Sequence, residues 1–281
     1  IARSAALSRD AAPEPTVRLA LGIRYNGQAY DGWQSQPSGR TVQDHLEKAL
    51  ARFTAGPRIG TLCAGRTDAG VHGWMQVVHF DTAIDRVPFS WVRGPNRFLP
   101  DDIAVQWAQP VPEAFHCRAS ALGRRYLYVL SQSPVRPSLD SGRVGWSMHP
   151  LDGEAMRSAA AHLLGEHDFT SFRASACQAK TPIKTLHRID ITRRGEDAHC
   201  YWRFEFEGNA FLHHMVRNIM GCLIAVGQGH KPAGWMADVL AARSRDAAAP
   251  TFAPDGLYFL GPVYDPVWGL PARTAAYDWL P

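Results

Sequence analysis

The chain has 281 residues, of which 46% are hydrophobic, and a formal net charge of +4. A chain of this size and composition can bury a substantial core without disulfides or metal, which argues against a disordered or fibrous protein. Its five cysteines are odd in number and scattered, and no Cys/His cluster has zinc spacing. We therefore expect no bound metal and a reducing, cytoplasmic location.

No stretch of the sequence predicts a membrane segment. Residues 1–16 are rich in Ala, Ser, Pro and charge and lack the apolar core of a signal peptide, so we expect a flexible tail. The longest apolar run, 211–226, is interrupted by histidines, an arginine and an asparagine. It predicts a buried helix rather than a membrane span.

Cationic residues are concentrated in two stretches. Residues 114–150 contain five arginines and one aspartate, and residues 171–194 contain six cations and one aspartate. Such blocks on a nearly balanced protein suit a phosphate-backbone partner. Solvated surface charge is the alternative.

Hydrophobic periodicity predicts the elements in chain order. The first half predicts a strand at 17–25, a helix from Thr41 to 53, strands at 59–63 and 74–80, a helix at 88–98 and strands at 103–107 and 124–130. The second half predicts a helix at 153–164, strands at 186–192 and 200–207, helices at 211–226 and 234–241, and a strand at 257–263. This mixture is typical of an α+β protein. We expect a tail (1–16), an N-terminal α+β half (17–133), a connection (134–150) and a C-terminal α+β half (151–281).

The loop between the second and third predicted strands carries Asp68. Gly65 and Gly70 bracket Arg-Thr-Asp-Ala, so the backbone can turn tightly and approach a ligand closely. A carboxylate held there can act as nucleophile or base, and Arg66 can bind a phosphate in bidentate fashion. An aspartate that only caps a turn is the simpler interpretation of these few residues.

The helix predicted at 211–226 is apolar around nearly its whole circumference, yet it carries Arg217. A guanidinium on a buried helix requires an anionic partner, because stranding it would cost roughly several kcal/mol. His213 lies four residues earlier and is predicted on the same side. The partner is either a structural carboxylate or a catalytic one, which the helix alone leaves open.

Tyr126 and Leu257 lie on predicted strands. Tyr126 follows two arginines, and alternation of cations with aromatics is common on nucleic-acid surfaces. Both residues have a simpler interpretation as core strand residues.

Longer strings resemble one family. CAGRTDAGVHGWMQVVHF resembles the signature of the tRNA pseudouridine synthase A family, and FLHHMVRNIMG, FHCRASALGRRYLY and APDGLYFLGPVY resemble further segments of it. Matches cover most of the chain. The resemblance implies that Asp68 is the catalytic residue, that Arg217 is its partner, that Tyr126 stacks on the target base and that Leu257 lines the uridine pocket.

The same resemblance implies an activity and a fold. The enzyme would isomerise uridine to pseudouridine at positions 38 to 40 of the tRNA anticodon arm, without a cofactor and as a homodimer. A base inside a stem must be extruded first, and Arg66 would hold the displaced nucleotide through its phosphate. The fold would be two similar α+β halves around one extended, mostly antiparallel sheet. Whether Asp68 attacks C1′, attacks C6 or removes a sugar proton stays open.

Two other functions compete with this one. A tRNA-binding protein without catalysis would keep the cationic stretches and aromatics but tolerate loss of Asp68. A glycoside-type hydrolase would need a second carboxylate about 5–9.5 Å from Asp68. The signature loop offers only one, so this hypothesis ranks last.

Overall fold

The structure, a computed structural model, describes residues 16–175, 177–196 and 199–271. The first part of the chain contains β1 (Val17–Tyr25), α1 (Val42–Thr54), β2 (Leu62–Cys63), β3 (His72–Thr82), α2 (Pro88–Asn96), β4 (Ile103–Val111) and β5 (Ala121–Gln132). The remainder contains β6 (Gly145–Ser147), α3 (Gly153–Ala161), β7 (Gly165–Asp168), β8 (Ile183–Gly195), β9 (Cys200–Gly208), α4 (Met215–Gly227), α5 (Trp235–Ala242) and β10 (Leu257–Tyr264). The predicted tail, 1–16, lies outside the described residues except for Thr16.

One sheet organises the described part of the chain. Eight strands follow the order β4-β1-β3-β10-β5-β9-β8-β7, while β2 pairs with β3 and β6 with β5. The pairings are antiparallel apart from β10 with β3 and β5 with β6. The predicted α+β class with one extended, mostly antiparallel sheet is confirmed. Because β10 lies between β3 and β5, the last strand joins the centre of the sheet.

The helices pack against one face of this sheet. Trp91 of α2 and the buried stripe of α1 form one apolar cluster with β1, β3 and β4, and α3, α4 and α5 form a second with β5 and β9. Phe259 of β10 is paired with both Gly73 and Tyr126, and Gly73 is also paired with Tyr25. Paired residues project to the same side of a sheet, so both clusters share a face. None of the helices in the described ranges is long and apolar enough to cross a membrane.

The predicted start of α1 at Thr41 is confirmed. The Thr41 hydroxyl accepts the backbone N–H of Asp44 at 3.2 Å and donates to the Asp44 carboxylate at 2.6 Å. This cap satisfies a backbone donor that the first turn would otherwise leave unpaired. The apolar stripe that follows, Val42, Leu46, Ala49 and Leu50, is buried.

Several elements differ from prediction, and strand β6, of three residues, lies within the stretch 134–150 that is expected to be a connection. Helix α4 begins at Met215 rather than at residue 211, because His214 has φ of +62°, a left-handed conformation that cannot continue a helix. Strand β7 was not predicted, since its polar sequence Gly-Glu-His-Asp lacks apolar alternation. Strand β2 has two residues instead of the five predicted at 59–63.

Candidate active site

Asp68 lies in the predicted loop between β2 and β3, and its neighbours are held firmly. The Thr67 hydroxyl forms a buried hydrogen bond of 2.7 Å with the Tyr25 hydroxyl. The Thr67 carbonyl accepts the backbone N–H of Trp33 at 3.0 Å. Gly70 turns the chain with φ of +79°, which L side chains rarely adopt. The loop therefore presents Asp68 from a rigid support.

Arg217 of α4 reaches the Asp68 carboxylate across 149 positions of sequence. Its Nη1 atom lies 3.2 Å from Asp68 Oδ2, and its Nε donates to the Phe252 carbonyl at 2.9 Å. The two side chains are only 14% and 20% exposed. The charge pair is therefore oriented by a second hydrogen bond and partly shielded from water, which strengthens its attraction.

Two histidines immediately before α4 also face Asp68. His213 Nε2 lies 3.2 Å from Oδ1, and His214 Nε2 lies 3.5 Å from Oδ2. The predicted helical spacing of His213 with Arg217 is wrong, because His213 precedes the helix, although both reach the carboxylate. Consecutive histidines ahead of an arginine-bearing apolar helix are the sequence feature that would have indicated them.

The His214 imidazole differs from Arg217 in charge. Burial lowers the pKa of His214, while the negative charge of Asp68 acts in the opposite direction. At neutral pH His214 is therefore uncharged and can hydrogen-bond the carboxylate. Arg217 is the permanent cation beside Asp68.

Tyr126 lies on the helix-bearing face of β5, between two aromatic rings. Its ring centroid is 4.9 Å from that of Phe211 and 5.1 Å from that of Phe259. Burial raises the pKa of the Tyr126 phenol, and the nearby charge of Asp68 raises it further. The hydroxyl is therefore protonated at neutral pH, and the neighbouring rings fix the plane of the aromatic side chain.

One cleft of about 1030 Å³ brings all five predicted site residues together. Leu257 forms a buried part of its wall, and Arg66 is an exposed residue of its lining. Among the described residues of the lining, the only carboxylate besides Asp68 is Asp31, which pairs with Arg40 at 3.3 Å. This arrangement offers one carboxylate for chemistry rather than the pair of a glycoside hydrolase.

The two cationic stretches divide between the two faces of the sheet. Arg118 and Arg124 line the cleft. Arg125 and Arg188 instead pair with Glu205 of β9 at 3.5 and 3.6 Å. Cations of these stretches therefore lie on both faces, because successive strand residues point to opposite faces.

Among the residues that the structure describes, two groups of side chains place enough donor atoms for a metal ion within 4.8 Å of one another. In the group of Asp68 and the two histidines, Arg217 lies 3.2 Å from the carboxylate and repels a cation. In the group of His79, His116 and Cys117, Nδ1 of each imidazole accepts backbone N–H groups. Their Nε2 atoms then carry the protons in the neutral form, which opposes ligation.

Comparison with known proteins identifies the family. A family model described as tRNA pseudouridine synthase matches residues 23–118 and 159–265, well over half of the chain. The chain belongs to the tRNA pseudouridine synthase family. This membership confirms the predicted isomerisation of uridine to pseudouridine in tRNA.

Individual relatives extend over nearly the whole chain. It is 74% identical over 279 residues to tRNA pseudouridine synthase A of Paracidovorax citrulli (strain AAC00-1), covering 94% of this chain and 100% of that protein. It is 73% identical over 275 residues to the protein of that name from Acidovorax ebreus (strain TPSY), with the same coverage. It is 74% identical over 258 residues to tRNA pseudouridine synthase A of Variovorax paradoxus (strain S110), covering 92% of this chain and 95% of that protein.

Proposed function

We propose that this synthase acts on uridines 38, 39 and 40 of the tRNA anticodon arm, with Asp68 as its catalytic carboxylate. The observation that carries the assignment is the Asp68 carboxylate, which lines the cleft 3.2 Å from Arg217 and beside two imidazoles. A carboxylate oriented by fixed donors needs little reorganisation as it reacts. Resemblance to the tRNA pseudouridine synthase A family supports the three positions.

The target base enters the cleft after it leaves the RNA stack. Extrusion costs roughly a few kcal/mol, and stacking on an aromatic ring returns roughly 1–3 kcal/mol. Tyr126 is the ring we assign to this role, because Phe211 and Phe259 hold it in the cleft wall beside Asp68. Leu257 supplies apolar contact to the base, and Arg66 binds the phosphate of the displaced nucleotide.

The reaction balances without an oxidant, a reductant or a net water molecule. The N1–C1′ bond breaks, the base rotates, and a C5–C1′ bond forms. The hydrogen on C5 leaves as a proton, and N1 takes up a proton. Asp68 serves as nucleophile or base in this sequence, while Arg217 orients the carboxylate through the contact at 3.2 Å.

We also propose that the enzyme is a cytoplasmic homodimer, as the resemblance implies. Light scattering on the purified chain should give twice its monomer mass. A monomer mass under conditions of full activity would contradict this part of the proposal.

Tritium release tests the role of Asp68. Unmodified tRNA with 5-tritiated uridine should lose tritium to water with the parent enzyme. Asp68→Asn keeps the shape of the side chain but removes its charge, so we expect release to fall by at least about 10⁴-fold. Binding of tRNA should be retained, because Arg66 and Tyr126 are unchanged.

Two outcomes would contradict the assignment. Comparable release by Asp68→Asn would remove this carboxylate from the mechanism. No release by a folded parent, offered several tRNAs, would favour the non-catalytic RNA-binding alternative.

Transcripts with a single uridine at 38, 39 or 40 test the positions. Each should release tritium, and a transcript with cytidine at all three should not. Release from the latter would overturn the proposed positions while leaving the isomerase activity in place.

A further inference from the structure

Five exposed cations lie on α1 and α2 or directly beside them, outside the cleft and outside the two cationic stretches. They are Lys48, Arg52, Arg86, Arg93 and Arg97, named here the α1–α2 cationic surface. Within the described ranges none of the five forms an ion pair with a carboxylate, whereas nearby Arg58 pairs with both Asp44 and Glu47. Exposed positive charges that no ion pair neutralises attract an anionic partner.

Helical spacing and close packing place these cations together. Arg93 and Arg97 are four residues apart and share a side of α2 with Phe89. A Cβ on Gly94 of α2 would lie only 2.1 Å from the ring of Phe53 in α1, so the two helices approach closely there. The cationic residues of α1 and of α2 therefore form one continuous surface.

Aromatic rings accompany the cations on this surface. The Arg52 guanidinium lies 4.6 Å from the centroid of Phe98, and that of Arg86 lies 4.4 Å from the centroid of Phe53. Such contacts orient a guanidinium without neutralising it. Phe89 and Phe98 are 64% and 36% exposed. Oriented cations beside exposed rings are typical of surfaces that bind nucleic acids.

The surface lies on the same side of the sheet as the cleft. Asp31, Gln34 and Gln36, just before α1, line the cleft, and the backbone N–H of Val42, the first residue of α1, donates to the Gly32 carbonyl at 3.2 Å. Helix α1 then rises about 1.5 Å per residue, so Arg52 is roughly 15 Å from its start. An RNA that occupies the cleft can therefore continue over α1 and α2.

We propose that the α1–α2 cationic surface binds the sugar-phosphate backbone of tRNA outside the anticodon arm. The inference rests on the proposed placement of that arm in the cleft. Contacts of this kind carry no base specificity; they raise affinity and fix the orientation of the RNA. The surface would thus let the enzyme distinguish a whole tRNA from an isolated stem-loop.

The test compares the salt dependence of tRNA binding. Each phosphate contact contributes roughly 0.7–0.9 to the slope of log Kd against log salt. Arg93→Gln with Arg97→Gln should therefore lower the slope for full-length tRNA by about 1–2. We also expect Kd to rise roughly 10-fold at low salt, with kcat unchanged, since phosphate contacts add affinity without entering the chemistry. Arg93→Lys with Arg97→Lys, which keeps both charges, should retain most of the affinity for full-length tRNA.

A matched control removes two exposed arginines that already have carboxylate partners. Arg157 pairs with Glu154, and Arg188 pairs with Asp190. Arg157→Gln with Arg188→Gln should leave both slope and Kd within about twofold of the parent, because paired surface charges contribute little. Thermal unfolding of both double variants should match the parent.

The isolated anticodon stem-loop separates this proposal from the proposed function. Arg93→Gln with Arg97→Gln should process the stem-loop as well as the parent does. An unchanged slope with full-length tRNA, or an equal loss on the stem-loop, would overturn the proposed surface. Failure of the parent to act on uridines 38–40 in any substrate would contradict the proposed function instead.

Discussion

The cleft and the α1–α2 cationic surface lie on the same side of the sheet but differ in whether their charged side chains have partners of opposite charge. In the cleft, Asp68 has Arg217 and two imidazoles within 3.5 Å. On and beside α1 and α2, the five exposed cations form no ion pair with a carboxylate of the described residues, and Arg52 and Arg86 lie over aromatic rings. Compensated charges are oriented for a reaction, whereas uncompensated ones remain available to a mobile polyanion. Changes in the cleft should therefore alter kcat, and changes on the surface should alter affinity and its salt dependence.

The strongest test of this division after Asp68→Asn is Arg217→Gln. It leaves the carboxylate without its permanent cation and removes the charged donor to Phe252. We expect kcat to fall roughly 100-fold, in the range of lost electrostatic stabilisation, with little change in tRNA Kd.

Arg217→Lys provides the control, because it keeps the charge but loses the forked geometry that serves two acceptors. It should recover only part of kcat. An effect of Arg217→Gln on Kd alone would show that this arginine contributes to RNA affinity and not to kcat, which would contradict the proposed division between the cleft and the surface.

The stacking role proposed for Tyr126 depends on its ring, so its replacement should affect both kcat and the affinity for tRNA. Tyr126→Leu removes a stacking surface worth roughly 1–3 kcal/mol, and we expect kcat/KM to fall about 30-fold. Tyr126→Phe keeps the ring and should stay within about threefold for tRNA binding. A larger loss in kcat for Phe would show that the hydroxyl takes part in proton transfer.

The pH dependence of folding stability provides a test outside both regions, because it involves the buried His79. Burial, with smaller contributions from His116 and Arg18, lowers the pKa of His79 to about 4. The unfolded chain takes up this proton below about pH 6.5 and the folded chain does not. Stability linked to His79 is thus complete above pH 6.5 and is lost as the pH falls toward 4.

His79→Gln should remove this dependence and leave kcat at neutral pH unchanged. In urea unfolding, the parent should lose about 2 kcal/mol more than the variant between pH 7 and pH 5. Equal losses would show that the acid sensitivity of the fold comes from other groups. His79 lies in neither of the compared regions, so this test separates loss of fold from changes within the cleft.

Local sequence determined much of the fold and the choice of candidate residues. The Thr41 cap, the alternation in β1 and the Asp68 loop all follow from short-range patterns, which depend on neighbours within about four residues. The roles of Asp68, Arg217 and Tyr126 were inferred from long strings that resemble one family. The structure adds their shared cleft, while their catalytic roles remain predictions.

Other features depend on contacts that no local pattern contains. His213 and His214 face Asp68 from just before α4, where His214 adopts the left-handed conformation. Arg125 is neutralised because strand alternation turns it toward Glu205. The α1–α2 cationic surface unites Lys48 with Arg97, which are far apart in sequence. Sequence period sets which side of an element a residue occupies, but sheet order and helix packing decide which charges meet.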